Sequence, residues 1–375
     1  MYDVCIIGGG ASGMYASIIL GKYGYKVVIV EANDRLGKKL LATGNGKCNL
    51  TNKDLDISYY NHDIIREILR EYDSTKLCND LLSLGLLTKE KSGRIYPYSE
   101  QSNSVLNVFL ENIKKYNVKV EYESKVDKII DKNDYYIVPI KNGTIKAKIV
   151  CLALGSNASF GIENSNFLKT FGINIIKNKC ALSPLLVENK EDIKGLSGVR
   201  QEGLVSLILD NKKIYSEYGE VQFRGDSLSG IVMFNLSSKL ARLNREKAEI
   251  SIDFFPDYSL DKLEKMYSDN IMKNYGLLNK FLLQNIDKKG VEYLKDFRVK
   301  INVNKDIKQA QVASGGIDIN EIDFSNMSLK KYKNLYALGE CIDIDGLCGG
   351  YNLHWAFASG YIFAKGVINN ATKIK

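Results

Sequence analysis

The residues in this chain whose types and spacing could do chemistry lie at its two ends. Near the start, VCIIGGGASG sets Gly8, Gly10 and Gly13 in a GxGxxG spacing, and VVIVE ends on Glu31. In that pattern the first glycine permits a tight turn and the second lets backbone approach a pyrophosphate. The third lets a helix pack closely on the preceding strand, and a terminal acid accepts hydrogen bonds from ribose hydroxyls. The helix opened by Ser12 would present unpaired N–H groups and the positive end of its dipole to the phosphates. A ribose 2′-phosphate would sit badly against Glu31, so NADP is disfavoured at this position.

Near the other end, NLYALGECIDIDGLCGGYNLHWAF offers Gly339 and Glu340 after a short apolar run, then Gly349 and Gly350 before a helical stretch. FAD is longer than NAD between its phosphates and its reactive ring. An acid at Glu340 suits the ribityl hydroxyls, and a second helix N-terminus suits the edge of a flavin where negative charge gathers on reduction. Directly after Glu31, ANDRLGKKLLATGNGKCNLTN is a glycine-containing loop with Lys38, Lys39 and Lys47 around it. By itself it reads equally as a wrap for a phosphate or as a solvated basic loop.

The elements that must position these groups follow from apolar periodicity. Val4 to Ile7 and Lys26 to Val30 read as strands on either side of a helix from Ser12 to Tyr23, a βαβ unit. Helical stripes follow at His62 to Tyr72 and Val105 to Tyr116. Short strands follow at Val118 to Tyr122, Lys125 to Ile130, Tyr135 to Ile140 and Thr144 to Lys148. A buried strand, Ile149 to Leu154, ends at Gly155, which with Ser156 is a candidate cofactor neighbour. Beyond Ser183 the texture changes to β segments (Leu185 to Val187, Gly203 to Leu209, Lys213 to Tyr218, Glu249 to Phe255). A helical stretch, Leu260 to Lys295, then carries Leu263, Met266, Ile271, Leu277, Leu278, Phe281 and Leu282 on its apolar positions. The chain closes with a strand at Leu335 to Leu338 and a helix from about Leu353. The expected fold class is α/β: a Rossmann-like FAD-binding domain from residues 1–182 and 307–375, with 183–306 inserted as a substrate or cap domain. The helical part of that insert is expected at about 257–297.

Composition narrows the classes. With 375 residues, 45% hydrophobic and 26% charged, the chain is an ordinary globular protein. No apolar run is long enough to span a bilayer, and the first strand starts almost at Met1, so the expectation is a cytoplasmic protein with no membrane partner. The seven cysteines have no CxxC or metal-ligand spacing, so no metal is expected. The formal charge of +8 is spread along the length without a basic tract, which favours anionic ligands and argues against nucleic acid as partner.

Taken together, these motifs resemble a flavoprotein family of NAD(P)/FAD-dependent oxidoreductases, the aminoacetone-oxidase-like FAD-binding proteins that include bile-acid enone reductases. The resemblance rests on GGGASG at 8–13, LGKKLLATGNGKCNLTN at 36–52, RIYPYSEQSNSVL at 94–106, GEVQF at 219–223 with LSG at 228–230, ASGGI at 313–317 and GECIDIDGLCGGYNLHWAFASG at 339–360. It implies a GR2-type FAD domain built from both chain ends and a β-barrel-like insert with a helical subdomain. It places Gly8, Gly10, Ala11, Ser12, Gly13 and Glu31 on the ADP half, and Val126 at the adenine. Thr43, Gly44, Lys47, Cys48, Gly155, Gly339, Glu340, Gly349, Gly350, Tyr351, Asn352 and Leu353 would lie along the rest of FAD. Lys47 stands where the family has arginine, Leu154 departs from its Ala-Thr-Gly, Ile231 stands where proline usually follows LSG, and His354 stands where glutamine is usual.

What the resemblance implies in function is transfer of hydride from a transiently docked NAD(P)H through FAD to an activated C=C or similar small organic acceptor. No second Rossmann fingerprint exists to hold the nicotinamide nucleotide. Oxidation of small amines or amino ketones with oxygen is the other enzymatic reading. An RNA-modifying or non-enzymatic flavin-binding protein is the alternative of another class. A disulfide reductase would need a partner for Cys48 that the spacing does not supply. No catalytic proton donor is assigned: His62 and His354 are the only histidines, and His354 is read first as a structural residue.

Overall fold

The computed structural model describes residues 1–269 and 278–372. Its central sheet is built on apolar runs buried on both faces, the signature of parallel strands between helices. Strand Tyr2–Ile7 pairs in parallel with Val27–Val30 on one side (Val4 opposite Val27) and with Gly143–Leu152 on the other (Val4 opposite Ile149). Helix Ala11–Lys22 makes the crossover. Lys119–Glu121 extends the sheet beyond Val27–Val30, and Leu335–Ala337, from the far end of the chain, pairs in parallel with Gly143–Leu152. The two chain ends therefore share one nine-stranded sheet.

Gly143–Leu152 is one strand where the sequence pattern suggests two. Its first half alternates exposed and buried residues and pairs antiparallel with Tyr136–Ile140. Its last residues are fully buried in the parallel core. Residues 125–129 form no strand. Only Ile130–Asp131 pairs with its neighbour, while Lys125 and Asp127 bond each other at 3.4 Å and Val126 turns inward.

The chain divides into two compact units, Met1–Asn178 with Val312–Lys375, and Lys179–Gln311. The second holds a closed barrel of six strands in the order Leu185–Val187, Ser227–Ser229, Lys212–Phe223, Arg200–Leu209, Lys247–Asp253 and Phe297–Val303. Closure removes the exposed edges that an open antiparallel sheet would present. The barrel core is aromatic, with Phe297 edge-on to both Phe223 and Phe254 at 5.7 Å.

The stretch expected to be helical from Leu260 to Lys295 contains, among the described residues, helices Leu260–Ser268 and Lys280–Lys289. The second ends before Gly290, whose φ of 94° stops it ahead of a short turn at Val291–Leu294. Leu263, Leu278 and Leu282 are buried there, whereas Ile271 and Leu277 lie outside the described residues, as does the side chain of Phe281. Among the described residues no helix is long and apolar enough to cross a membrane.

Candidate dinucleotide site

The glycine fingerprint separates by function once its surroundings are visible. Gly8, at φ 111°, lies so close to the neighbouring strand that a Cβ would stand 2.2 Å from the Ala153 carbonyl oxygen. A Cβ on Gly13 would stand 2.1 Å from the Gly8 oxygen. These two serve the packing of strand on helix. Gly10 is different: a Cβ there would meet nothing within 4 Å, because the residue borders a groove of about 120 Å³. Gly10, Glu31, Arg35, Val126 and Gly155 are among the residues that line it. No side chain caps the helix that starts at Ala11 and no acid occupies its first turn, so its N–H groups remain available to an anion.

Glu31 is 8% exposed. Its Oε2 accepts from the Gly9 N–H at 2.8 Å and its Oε1 from the Asn33 N–H at 2.8 Å and the Asn33 amide at 2.6 Å. The carboxylate is thus fixed by the loops it joins, with its remaining lone-pair capacity at the groove wall.

The basic loop is folded tightly on itself. Gly44 and Asn45 are both left-handed (φ 58° and 54°), and Cys48 is too at φ 57°. Thr43 turns its hydroxyl back to donate to the Leu40 carbonyl at 2.6 Å. Lys47 points to Glu100 at 3.4 Å, a carboxylate that also pairs with Lys89 at 2.8 Å. Burial pushes the Cys48 thiol up to about 12, away from the thiolate that a dithiol relay would need.

Glu340 sits at the meeting of three segments. Lys39 Nζ donates to its Oε2 at 2.5 Å, while its Oε1 accepts from the Ser156 hydroxyl at 2.8 Å and the Ala313 N–H at 3.2 Å. Lys39 also donates to Ser156 Oγ at 3.0 Å. The motif spacing does not single out Lys39 as the partner of Glu340; its only sequence signal is its place in the basic loop. Gly339 packs on the first helix, where a Cβ would approach Ser12 Oγ to 2.9 Å, so the two ends of the chain touch here.

The turn before the last helix is a second cradle. The helix begins at Tyr351, ahead of the expected Leu353, and runs to Thr372. Asn352 ties the turn by accepting from Gly346 N–H at 2.9 Å and donating to Gly346 O at 2.8 Å, and Asn52 donates to Gly349 O at 3.0 Å. A Cβ on Gly350 would stand 2.6 Å from Thr51 O and 2.9 Å from Asn49 Oδ1. That Asn49 oxygen is buried with no hydrogen-bond partner among the described residues, an acceptor that a donor-bearing ring edge would satisfy. An open Gly10, an uncapped helix N-terminus and an orphaned acceptor beside a second glycine cradle fit a long dinucleotide with a polar ring edge.

His354 is fully buried. Its Nε2 faces the Tyr72 carbonyl at 2.8 Å, so that nitrogen carries the proton, and its Nδ1 accepts from the Thr51 hydroxyl at 2.8 Å. Burial lowers its pKa to about 4, which makes it a neutral structural residue.

Comparison with known proteins bears on the family and the fold. A family model described as HI0933-like protein Rossmann domain matches residues 2–366. The chain is 29% identical to a 3-dehydro-bile acid delta(4,6)-reductase of Clostridium scindens, over 96% of this chain and 98% of that protein. It is 24% identical to a ribosomal RNA dihydrouridine synthase of Escherichia coli, over 98% of each chain. A solved 3-ketosteroid-delta4-(5alpha)-dehydrogenase from Rhodococcus jostii RHA1 shares the fold, with a TM-score of 0.54 at 13% identity, over 97% of this chain and 96% of that one.

Proposed function

The chain belongs to the HI0933-like Rossmann family of FAD-binding oxidoreductases, and from that premise we propose that it reduces a C=C bond conjugated to a carbonyl, with NAD(P)H as the hydride source. The observation that carries the reading is the shared chemistry of two relatives that match over almost their whole length. A bile-acid delta(4,6)-reductase saturates ring double bonds conjugated to a 3-oxo group, and a dihydrouridine synthase saturates a pyrimidine double bond next to a carbonyl. Both need hydride at one carbon and a proton at the next.

When bound, FAD supplies the hydride relay. The chain's own contribution is binding and orientation. In this reading Gly10 and the N-terminus of the first helix hold the pyrophosphate, Glu31 takes the ribose, and Val126 packs on adenine. Glu340, held in place by Lys39 and Ser156, addresses the ribityl chain. Gly349, Gly350 and the N-terminus of the Tyr351–Thr372 helix, with Asn49 beside them, hold the pyrimidine edge and stabilise the charge that develops there. Residues 183–306 shape the acceptor, and the protein works in the cytoplasm.

A second acceptor, uridine in RNA, is favoured by one observation: the dihydrouridine synthase match spans 98% of the chain. The test is anaerobic. The purified flavoprotein is bleached with NADH or NADPH, then offered a 3-oxo-Δ4 steroid, a small enone or ribosomal RNA. Reoxidation by the steroid or enone supports the proposal, and reoxidation by RNA alone moves the substrate to the second reading. Failure of both nicotinamides to bleach the flavin would refute the hydride source.

A further inference from the structure

Reduction of a conjugated C=C needs a proton donor as well as a hydride. We infer that His62, oriented by Asp343, is that donor; the inference rests on the reductase reading above.

His62 Nε2 lies 3.4 Å from Asp343 Oδ2. Asp343 is itself held: its Oδ1 accepts from the Gly315 N–H at 3.0 Å and faces the Asn61 amide at 3.4 Å. The segment carrying His62 is clamped to the loop that runs from Glu340 to Gly350. Asn61 N–H donates to Asp345 O at 3.1 Å, Asp345 N–H donates to Asn61 Oδ1 at 3.0 Å, and Leu347 N–H donates to Tyr59 O at 2.9 Å. Tyr59 stacks on Tyr351 with ring centres 4.7 Å apart, and Tyr60 donates to the Tyr351 carbonyl at 3.0 Å. The segment carrying His62 is therefore tied to the loop proposed to follow the flavin at Asp343, Asp345, Leu347 and Tyr351.

The chemistry of this dyad matches the missing step. The carboxylate fixes the ring by holding Nε2–H, and Nδ1 has no partner among the described residues. Nδ1–H can then go to the α-carbon of the enolate left when hydride reaches the β-carbon. The enolate's electron pair takes that proton, the saturated ketone forms, and the neutral imidazole is reprotonated from solvent. The balance is one hydride from the nicotinamide and one proton from His62 per double bond.

Other candidates nearby are poorer acids. His354 is buried and neutral, and burial raises the hydroxyls of Tyr60 and Tyr351 above their ordinary range. The charges around His62 are Asp343 and Asp345 on the facing loop, Asp63 with its partner Arg66 at 2.9 Å on its own segment, and Asp54, bonded by Tyr59 at 2.9 Å.

The test compares wild type, His62→Gln and Asp343→Asn as FAD-loaded proteins. Flavin content and melting temperature establish that each variant is folded. In stopped flow, bleaching by the nicotinamide should stay within about threefold of wild type in His62→Gln, while reoxidation by an enone slows by about 10²- to 10⁴-fold, the usual share of a general acid. Its pH dependence between about pH 5 and 8 should flatten, and added imidazole should restore part of the rate. A readout independent of turnover comes from histidine-selective isotope labelling, since the chain has two histidines. Asp343→Asn should alter the tautomer signature of the ring that His62→Gln deletes and leave the other unchanged. Wild-type reoxidation rate and pH profile in His62→Gln would overturn the assignment while leaving the reductase reading intact. An unaltered His62 ring in Asp343→Asn would overturn the dyad. Wild-type protein that no enone reoxidises would bring down the reductase reading and this inference together.

Discussion

Gly10→Ala separates binding from folding at a single methyl group. The added Cβ meets nothing within 4 Å, and Gly10 has φ −79°, which alanine adopts freely. Loss of unfolded-state entropy should stabilise the variant by about 0.4–1 kcal/mol. Alanine is a poorer N-cap than glycine, by up to about 1 kcal/mol. The two effects nearly cancel, so the flavin-stripped protein should melt within a few degrees of wild type. The same methyl group stands where backbone must approach a pyrophosphate, and FAD affinity should fall at least about tenfold, or about 1.4 kcal/mol. Gly13→Ala is the control of opposite sign. Its Cβ would stand 2.1 Å from the Gly8 oxygen and 3.1 Å from Ala153 Cβ, both part of packed structure. Overpacking of this kind costs about 1–3 kcal/mol or more, which exceeds the helix-propensity gain of about 1 kcal/mol. Flavin titration and thermal melts of the apoproteins read both quantities. Wild-type FAD affinity in Gly10→Ala would refute placement of the pyrophosphate at the first helix, and an equally large drop in melting temperature for both variants would refute the division of roles.

Three further outcomes follow from the same structure. His354 falls from 6.5 to about 4 on folding, so the unfolded chain binds a proton that the folded chain refuses as pH drops through that interval. Its contribution is fully present above pH 6.5 and is lost on acidification, by about 2 kcal/mol at pH 5; urea melts at pH 7 and 5 should show His354→Gln losing less stability than wild type. Lys39→Met strands the Glu340 carboxylate, which is 20% exposed, and should destabilise the apoprotein by about 1–3 kcal/mol. Adding Glu340→Gln should return part of that, measured as a double-mutant cycle. Alkylation under native conditions should label Cys78 and Cys348, which are part-exposed, ahead of Cys5, Cys48 and Cys341, whose buried thiols are pushed up to about 12; mass spectrometry of the labelled peptides gives the order.

The parts of the site legible in the sequence are those written in local pattern. The run Val4 to Ile7, the glycines after it and the acid closing Val27–Val30 belong to one βαβ unit, so their spacing is set by the unit itself. The pairing of Leu335–Ala337 with Gly143–Leu152 could be anticipated only through the motif at Gly339 and Glu340. Contacts between distant segments carried no such signal. Lys39 and Glu340 are 301 positions apart, His62 and Asp343 281 apart, and each pair is created by the fold. The misread elements have local causes as well. Residues 125–129 alternate like a strand, but they meet no ladder partner and satisfy their charges as a surface ion pair. Lys47, expected along the cofactor from the resemblance, has its ammonium 3.4 Å from Glu100, a partner that no local pattern announces.

The charge arrangement changes how an anionic cofactor must be held. The basic loop suggested a positively charged wrap, yet each lysine in it has an acid: Lys38 with Asp34 at 3.7 Å, Lys39 with Glu340 at 2.5 Å, Lys47 with Glu100 at 3.4 Å. A neutralised lysine adds little long-range attraction for a phosphate, and exposed pairs are weakened further by salt. Beside Arg35, which lines the same groove, the donors that the proposed site offers a phosphate are the backbone N–H groups at the uncapped start of Ala11–Lys22, which act by direction and not by net charge. Such donors are fixed before the ligand arrives and need no reorganisation. On the proposed placement the same logic would govern the far end of the cofactor, where the glycines before Tyr351 would aim a second helix N-terminus at developing negative charge. Both ends of the chain thus solve an anion problem with backbone geometry. The lysines are free to act as struts, and Lys39 in particular ties the loop after Glu31 to the segment that bears Glu340.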